Sequence, residues 1–247
     1  MSYNPYSLEG KTILITGAAS GIGKTTAIES SRLGAKIVAV DMNVKGLEDL
    51  IEQLEGEGHI SFGGNLCDES FVKSLGEDSP SLDGVFLCAG VSDTTPVKFI
   101  TEDKIKRVFD INLTAPIMML KQLLVKKKIN KNGSLVWMSS YGAEKVEPGL
   151  GIYAASKSAV NGIMRAYAKE LVSRGIRSNS IMPMMIRTEL LSTLSNISES
   201  DWEKQEAKYP LGFGSPKDVA YAAIYLFSDA SRWITGTQIR MDGGSNL

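Results

Sequence analysis

The chain has one histidine, His59, and two cysteines, Cys67 and Cys88, among its 247 residues. A single histidine leaves a Ser-His-Asp hydrolase resting on that residue alone, and it excludes a zinc site built from several histidines. His59 stands in a Gly/Glu-rich stretch, EGEGHISFGG, and reads as a solvent-facing loop residue. The cysteines have no paired metal-ligand spacing; they read as reduced core thiols, and no metal is expected. Neither charge sign is in surplus, with 27 basic against 28 acidic residues and a formal net charge of -1. Nucleic acid and anionic membrane surfaces are therefore not expected as partners. No continuous apolar run approaches a membrane span, and the opening MSYNPYSLEG lacks the basic and apolar regions of a signal peptide. The expected location is cytoplasmic.

What is present is ordinary for a globular chain: 43% hydrophobic and 22% charged residues, enough to bury one large core. Short β-rich runs alternate with stretches of helical periodicity. Strands are predicted at Lys11 to Thr16, Ala35 to Val40, around Ile60 and Phe62, at Gly84 to Leu87, Ser134 to Met138, Arg177 to Ile181 and Thr237 to Met241. Helices are predicted at about 22–33, 44–55, 102–128, 153–173 and 216–228. Continuous apolar strands alternating with helices imply an α/β fold: one doubly wound, Rossmann-like parallel sheet of about seven strands, with helices on both faces. No linker or repeat divides residues 1–247, which read as a single domain.

The first strand runs into Thr16-Gly17-Ala18-Ala19-Ser20-Gly21-Ile22-Gly23. Glycines between a strand and a helix allow a sharp turn and bring bare backbone N–H groups against a pyrophosphate at the helix N-terminus. Gly17, Ser20, Gly21, Ile22 and Gly23 are thus candidate cofactor contacts. Asp41 ends the second strand, with Met42 after it, where a carboxylate can accept from the adenosine ribose hydroxyls. The same carboxylate would repel a 2′-phosphate, and no arginine directly follows it. NAD(H) is expected in preference to NADP(H).

The glycine loop, the segment Tyr153-Ala154-Ala155-Ser156-Lys157, and Ser140 thirteen residues before Tyr153 together resemble the short-chain dehydrogenase/reductase family, over nearly the whole chain. The resemblance implies Tyr153 as general acid and base, Lys157 as its partner, Ser140 orienting the substrate oxygen, and Asn112 completing a proton relay. Tyr153 and Lys157, four apart, project from one helix face. A free tyrosine titrates near pH ~10, and an ammonium ~4–5 Å away favours the phenolate by roughly 3–4 kcal/mol, about 2–3 pKa units. Ser139 is the neighbouring alternative to Ser140, and the family spacing selects Ser140. By the same resemblance Asn65 and Leu66 border the adenine, Ala89 and Gly90 the cofactor ribose, and Pro183, Ile186 and Thr188 the carboxamide site.

Some positions depart from that pattern. Leu87-Cys88-Ala89-Gly90 stands for Asn-Asn-Ala-Gly, Asn65 replaces an aspartate, and Met184 replaces the glycine after Pro183, narrowing the expected substrate pocket. The helix after Asn65 is expected about one turn short. A substrate lid is expected over 187–214, with Leu190, Leu191, Leu194, Trp202 and Tyr209. Together with Tyr141, Leu150 and Met184 it suggests an apolar pocket. Glu144 and Glu147 lie nearby and are expected to face solvent. The implied activity is hydride transfer between a secondary alcohol and a ketone, both small molecules, in a homotetramer. Alternatives are a 3-oxoacyl-[acyl-carrier-protein] reductase, a role that goes with NADPH in this family, and a non-catalytic NAD(H)-binding regulator or partner subunit.

Overall fold

Strand β1 (Thr12–Thr16) shows how the sheet is built: Ile13 and Ile15 enter the core on one side, and Leu14 enters the core on the other. A strand apolar at every position can be buried only if both sheet faces are covered. The computed structural model describes residues 4–188 and 199–247. Beside β1 lie β2 (Lys36–Asp41), β3 (Ile60–Gly63), β4 (Leu82–Leu87), β5 (Ile129–Met138), β6 (Arg177–Pro183) and β7 (Gln238–Met241). They form one seven-stranded sheet in the order β3-β2-β1-β4-β5-β6-β7, and every pairing is parallel.

Helices α1 (Gly21–Arg32) and α2 (Val44–Ile51) cover one face together with a later helix, Pro216–Phe227. Ala27, Leu47, Leu50, Val219, Ala223 and Phe227 pack there on Ile13, Ile15, Ile37 and Phe86. The other face carries α3 (Glu69–Asp78), α5 (Ala115–Val125) and α6 (Gly151–Leu171), through Val72, Leu75, Met119, Leu120, Leu123, Val160 and Met164. Helix α4 (Glu102–Phe109) precedes α5, α7 spans Glu199–Glu206, and Pro216–Phe227 is α8. The doubly wound single domain expected from the sequence is the observed one.

Strand β6 reads Arg-Ser-Asn-Ser-Ile-Met-Pro, yet every residue is buried. Its polar groups are paired. Ser178 Oγ accepts from Trp137 Nε1 (3.0 Å) and donates to Met164 O (2.9 Å). Asn179 bonds Ile234 O and Thr237 N, and Ser180 donates to Asn161 Oδ1. Arg177 donates to Ser231 Oγ and Leu226 O. Buried polar groups satisfied in this way cost little, and they fix the register of the strand that leads into the site.

Three local expectations need correction. The helix expected over 102–128 is divided: α4 ends at Phe109, a π-helical turn spans Asp110–Thr114, and α5 stops at Val125. The combined segment Glu102–Val125 is long and apolar enough to cross a membrane by length and composition, although no unbroken apolar run suggests it. Its Val108, Met119, Leu120 and Leu123 are fully buried against the rest of the protein, while Ile105, Met118 and Val125 are exposed. β5 begins at Ile129 instead of Ser134, because Ile129 already pairs with Leu82; Asn132, at a left-handed φ of 63°, lies where the register against β4 then shifts. His59 is half-buried rather than solvent-facing: Nδ1 accepts from Ile37 N (3.1 Å) and Nε2 lies 3.0 Å from Glu55 O.

Candidate active site

The C-terminal ends of β1, β2, β4 and β5 open onto a cleft of about 380 Å³, at the place where the strand order reverses. Gly17 turns the chain out of β1 at φ 67°, and a Cβ there would lie 3.0 Å from Ala89 Cα. A Cβ at Gly23 would lie 2.1 Å from Gly17 O, closer than any side chain permits, so first strand and first helix meet only through bare backbone. Thr16 Oγ1 accepts from Cys88 N (3.0 Å) and Ala89 N (3.1 Å), joining the ends of β1 and β4. Ser20, at the N-terminus of α1, makes no side-chain cap, so the first-turn N–H groups keep no internal acceptor.

Asp41 is held by two backbone donors, Ala19 N to Oδ2 (3.0 Å) and Asn43 N to Oδ1 (2.9 Å). It therefore ties the glycine loop to β2 and forms the turn into α2, while each oxygen keeps a free lone pair. These features fit a dinucleotide: a cradle that excludes side chains, an uncapped helix N-terminus and a carboxylate with acceptor capacity.

Gly17, Ser20, Gly21, Ile22, Gly23, Asp41, Met42, Asn65, Leu66, Ala89, Gly90 and Thr188 all line the cleft. Asn65 Oδ1 already accepts from Cys67 N (2.9 Å) and retains one lone pair. Tyr153, Lys157 and Pro183 are not among the lining residues. Lys157 connects to the cleft through Met138, whose carbonyl accepts from Nζ at 2.8 Å. Ile186 is buried and borders a second cavity of about 390 Å³ with Met185, Tyr209 and Gly214. Sequence reading missed Val40, Gly64, Cys67, Cys88, Val91, Ile111, Ala115 and Met138 as lining residues. Val40 and Met138 could have been found, since both stand at the C-terminal ends of strands that flank the switch point. Both cysteines are free thiols, as expected; Cys88 packs against the core, whereas Cys67 does not belong to it. Both line the cleft, and Cys67 is exposed. Burial pushes the Cys88 thiol up to about 12, so it stays protonated.

At the end of β5 the two serines separate. Ser139 Oγ is buried and donates to Lys157 O (3.2 Å), a structural bond. Ser140 Oγ accepts from Gly142 N (3.1 Å), donates to Pro183 O (3.5 Å) and stands beside the Tyr153 ring, whose phenol pKa it draws down. Tyr153 and Lys157 project from one face of α6, and Nζ lies 5.8 Å from the centre of the tyrosine ring. The expected lowering of the phenol pKa is not found. Burial raises Tyr153, and the Ser140 hydroxyl only partly opposes this. Burial also brings Lys157 down to about 8. The cation is turned to Met138 O, and desolvation of both groups outweighs attraction across that gap.

Asn112 sits in the π-helical turn, 2% exposed. Its Oδ1 accepts from Val91 N (2.8 Å), and Nδ2 donates to Val91 O (3.0 Å) and Ser156 Oγ (3.0 Å). Around the expected substrate pocket, Tyr141 is buried beneath the Arg240 guanidinium, 4.5 Å from the ring centre. Glu144 faces solvent, as expected, and there it pairs with Arg240 at 2.6 Å. Leu150 and Met184 are half-buried; Met184 N donates to Met241 O. Trp202 and Tyr209 pack edge-on against Phe213, at 6.0 and 5.0 Å. Leu190, Leu191 and Leu194 lie outside the described residues. Among the described residues no group of three or more His, Cys, Asp and Glu is placed to hold a metal ion.

A family profile described as Enoyl-(Acyl carrier protein) reductase matches residues 17–246. The 3-oxoacyl-[acyl-carrier-protein] reductase FabG of Thermotoga maritima is 35% identical, covering 96% of this chain and 98% of its own. The D-threitol dehydrogenase of Mycolicibacterium smegmatis is 32% identical, covering 98% and 95%. A solved short-chain type dehydrogenase/reductase from Mycobacterium ulcerans superposes with a TM-score of 0.88 at 30% identity, covering 97% of this chain and 90% of that one. With this profile, these relatives and the Ser140–Tyr153–Lys157 constellation on a seven-stranded parallel sheet, the chain belongs to the short-chain dehydrogenase/reductase family, oxidoreductases that act on CH–OH groups with a nicotinamide cofactor.

Proposed function

We propose that the protein interconverts a secondary alcohol and a ketone with NAD(H), using Tyr153 as general acid and base. The observation that carries this reading is the convergence of three side chains: Ser140 Oγ and the Tyr153 ring flank the same point beside Gly142, and the Lys157 ammonium lies 5.8 Å from the centre of that ring. In the reducing direction the phenol holds its proton until the substrate oxygen gains negative charge, then donates it. The Ser140 hydroxyl orients that oxygen and stabilises the developing charge. Lys157 offsets the charge left on the phenolate. A nicotinamide cofactor bound in the cleft supplies or accepts the hydride. Gly17, Ser20, Gly21, Ile22, Gly23, Asn65, Leu66, Ala89 and Gly90 would hold it, with Pro183, Ile186 and Thr188 at the carboxamide.

NAD(H) over NADP(H) rests on Asp41, whose carboxylate keeps lone pairs for ribose hydroxyls and carries the wrong sign for a 2′-phosphate. The lid is read over 187–214, of which Leu190, Leu191 and Leu194 lie outside the described residues, and Tyr141, Leu150 and Met184 would border the substrate. Assembly as a cytoplasmic homotetramer is part of the same reading. Exposed Ile105, Met118 and Val125 on the segment around Asn112, and the open edge of β7, support an interface.

A second reading, a 3-oxoacyl-[acyl-carrier-protein] reductase, is favoured by the 35% identical Thermotoga relative of that name. A panel of alcohols, sugars, steroids, ketones and 3-oxoacyl thioesters, run with NADH and NADPH, separates the two. Turnover of a ketone or alcohol faster with the NAD couple supports the proposal. Turnover confined to 3-oxoacyl thioesters with NADPH replaces it with the second reading.

A further inference from the structure

Ser156 lies between the two residues that carry the proton chemistry and is completely buried. Its Oγ donates to Tyr153 O at 2.7 Å and accepts from Asn112 Nδ2 at 3.0 Å. A hydroxyl has one hydrogen, so once it is committed to Tyr153 O the oxygen can only accept from Asn112. That fixes which end of the Asn112 carboxamide faces α6. The other end is fixed by Val91, whose N–H needs an acceptor and whose carbonyl needs a donor. A reversed carboxamide would set like against like at both Val91 groups.

The bonds form one directional chain from the backbone of Tyr153, through Ser156 and Asn112, to Val91 on the loop after β4. That loop borders Lys157. A Cβ at Gly90 would lie 3.0 Å from Asn112 Oδ1 and 3.3 Å from Lys157 Nζ, so amide, ammonium and bare glycine share one crowded spot. The neighbouring hydroxyl on the helix behaves differently: exposed Ser158 reaches only the carbonyls of Ala143 and Ala154.

We propose that Ser156 is a positioning residue for the reaction: its buried hydroxyl locks the Asn112 carboxamide, and through it holds the Gly90–Val91 wall at a fixed distance from Lys157 and Tyr153. Removing the hydroxyl leaves one Asn112 N–H without an acceptor in the protein interior, and the carboxamide gains freedom to rotate. Val91 then holds the carboxamide alone, and its own two bonds to Asn112 loosen.

The turnover readout rests on the oxidoreductase reading above, whereas the exchange readout does not. In the full-length cofactor-free protein, Ser156→Ala should speed hydrogen exchange of the Val91 amide about tenfold, the size of one buried hydrogen bond. Ser158→Ala should leave it unchanged, and Ser156→Thr, which keeps the hydroxyl, should restore it. With a substrate from the panel, Ser156→Ala should lower kcat about tenfold while KM and NADH affinity stay within about twofold. Because Ser156 acts through Asn112, adding Ser156→Ala to Asn112→Ala should slow the enzyme no further. Should Ser156→Ala fail to fold, near-isosteric Ser156→Cys, a much weaker acceptor, takes its place. Unchanged Val91 exchange, or losses that multiply in the double variant, would overturn the proposal. If no substrate of the panel turns over, the alcohol–ketone reading fails and Val91 exchange alone decides this one.

Discussion

The Lys157 ammonium donates its hydrogen bond to Met138 O and stands 5.8 Å from the centre of the Tyr153 ring. Lys157 is buried and Tyr153 half-buried, and desolvation shifts both toward their neutral forms: Tyr153 up, Lys157 down to about 8. The pair is held proton-loaded on the tyrosine, suited to donate when a substrate oxygen arrives. Lowering the tyrosine for the reverse direction requires Lys157 to stay charged, at a cost the folded protein bears.

That cost should be visible as a pH dependence of stability. Lys157 titrates at about 8 in the folded protein, against 10.5 for a free lysine. Below pH 8 both states carry the charge, and burying it costs the folded state about 3 kcal/mol. Between 8 and 10.5 only the unfolded chain binds the proton, so stability rises with pH; above 10.5 the penalty is gone. Urea denaturation of cofactor-free Lys157→Met should therefore show a gain over the wild type at pH 7 that narrows by pH 9.5. A difference independent of pH would contradict the assignment.

Gly23→Ala should abolish cofactor binding, because its Cβ would lie 2.1 Å from Gly17 O and force β1 and α1 apart. A stability loss of about 2 kcal/mol or more is expected, with NADH fluorescence enhancement lost. Retained NADH affinity would show that the loop tolerates a side chain and that the cradle is misread.

Asp41→Ala removes the acceptor for Ala19 N and Asn43 N as well as the negative charge. NADH affinity should fall about tenfold to a hundredfold, and the ratio of NADPH to NADH turnover should rise. An unchanged ratio would mean that Asp41 shapes the loop without selecting the cofactor.

The adjacent serines give a paired test. Ser139→Ala loses the bond to Lys157 O and should cost about 1 kcal/mol of stability while keeping most of the activity. Ser140→Ala loses the bond from Gly142 N at a similar cost in stability, and it should lower kcat about a hundredfold, since it removes the hydroxyl beside the Tyr153 phenol. Reversed effects would exchange the two roles.

The sheet and the cofactor cleft were largely legible because their signals are local. Apolar runs such as Ile13-Leu14-Ile15 declare buried strands, and glycines 17, 21 and 23 mark the turn between strand and helix. The long-range arrangements were not legible. The π-helical turn around Asn112 depends on Val91 and Ser156, twenty-one and forty-four residues away, and no periodicity encodes such contacts. The early start of β5 was hidden because it rests on the pairing of Ile129 with Leu82, which lies far off in the sequence. His59 is in a loop as read, but it looked solvent-facing, since its bond to Ile37 N forms only when β2 lies beside it. The tyrosine shift was misjudged because spacing on a helix places the lysine but does not reveal how much water the fold removes.

The most direct test of the account is Tyr153→Phe, which deletes one oxygen and leaves the ring packed on α6. With a substrate from the panel and NADH, turnover should fall at least about a thousandfold while NADH affinity and melting temperature stay close to those of the unaltered protein. Turnover equal to that of the unaltered protein would contradict the central claim that Tyr153 moves the proton.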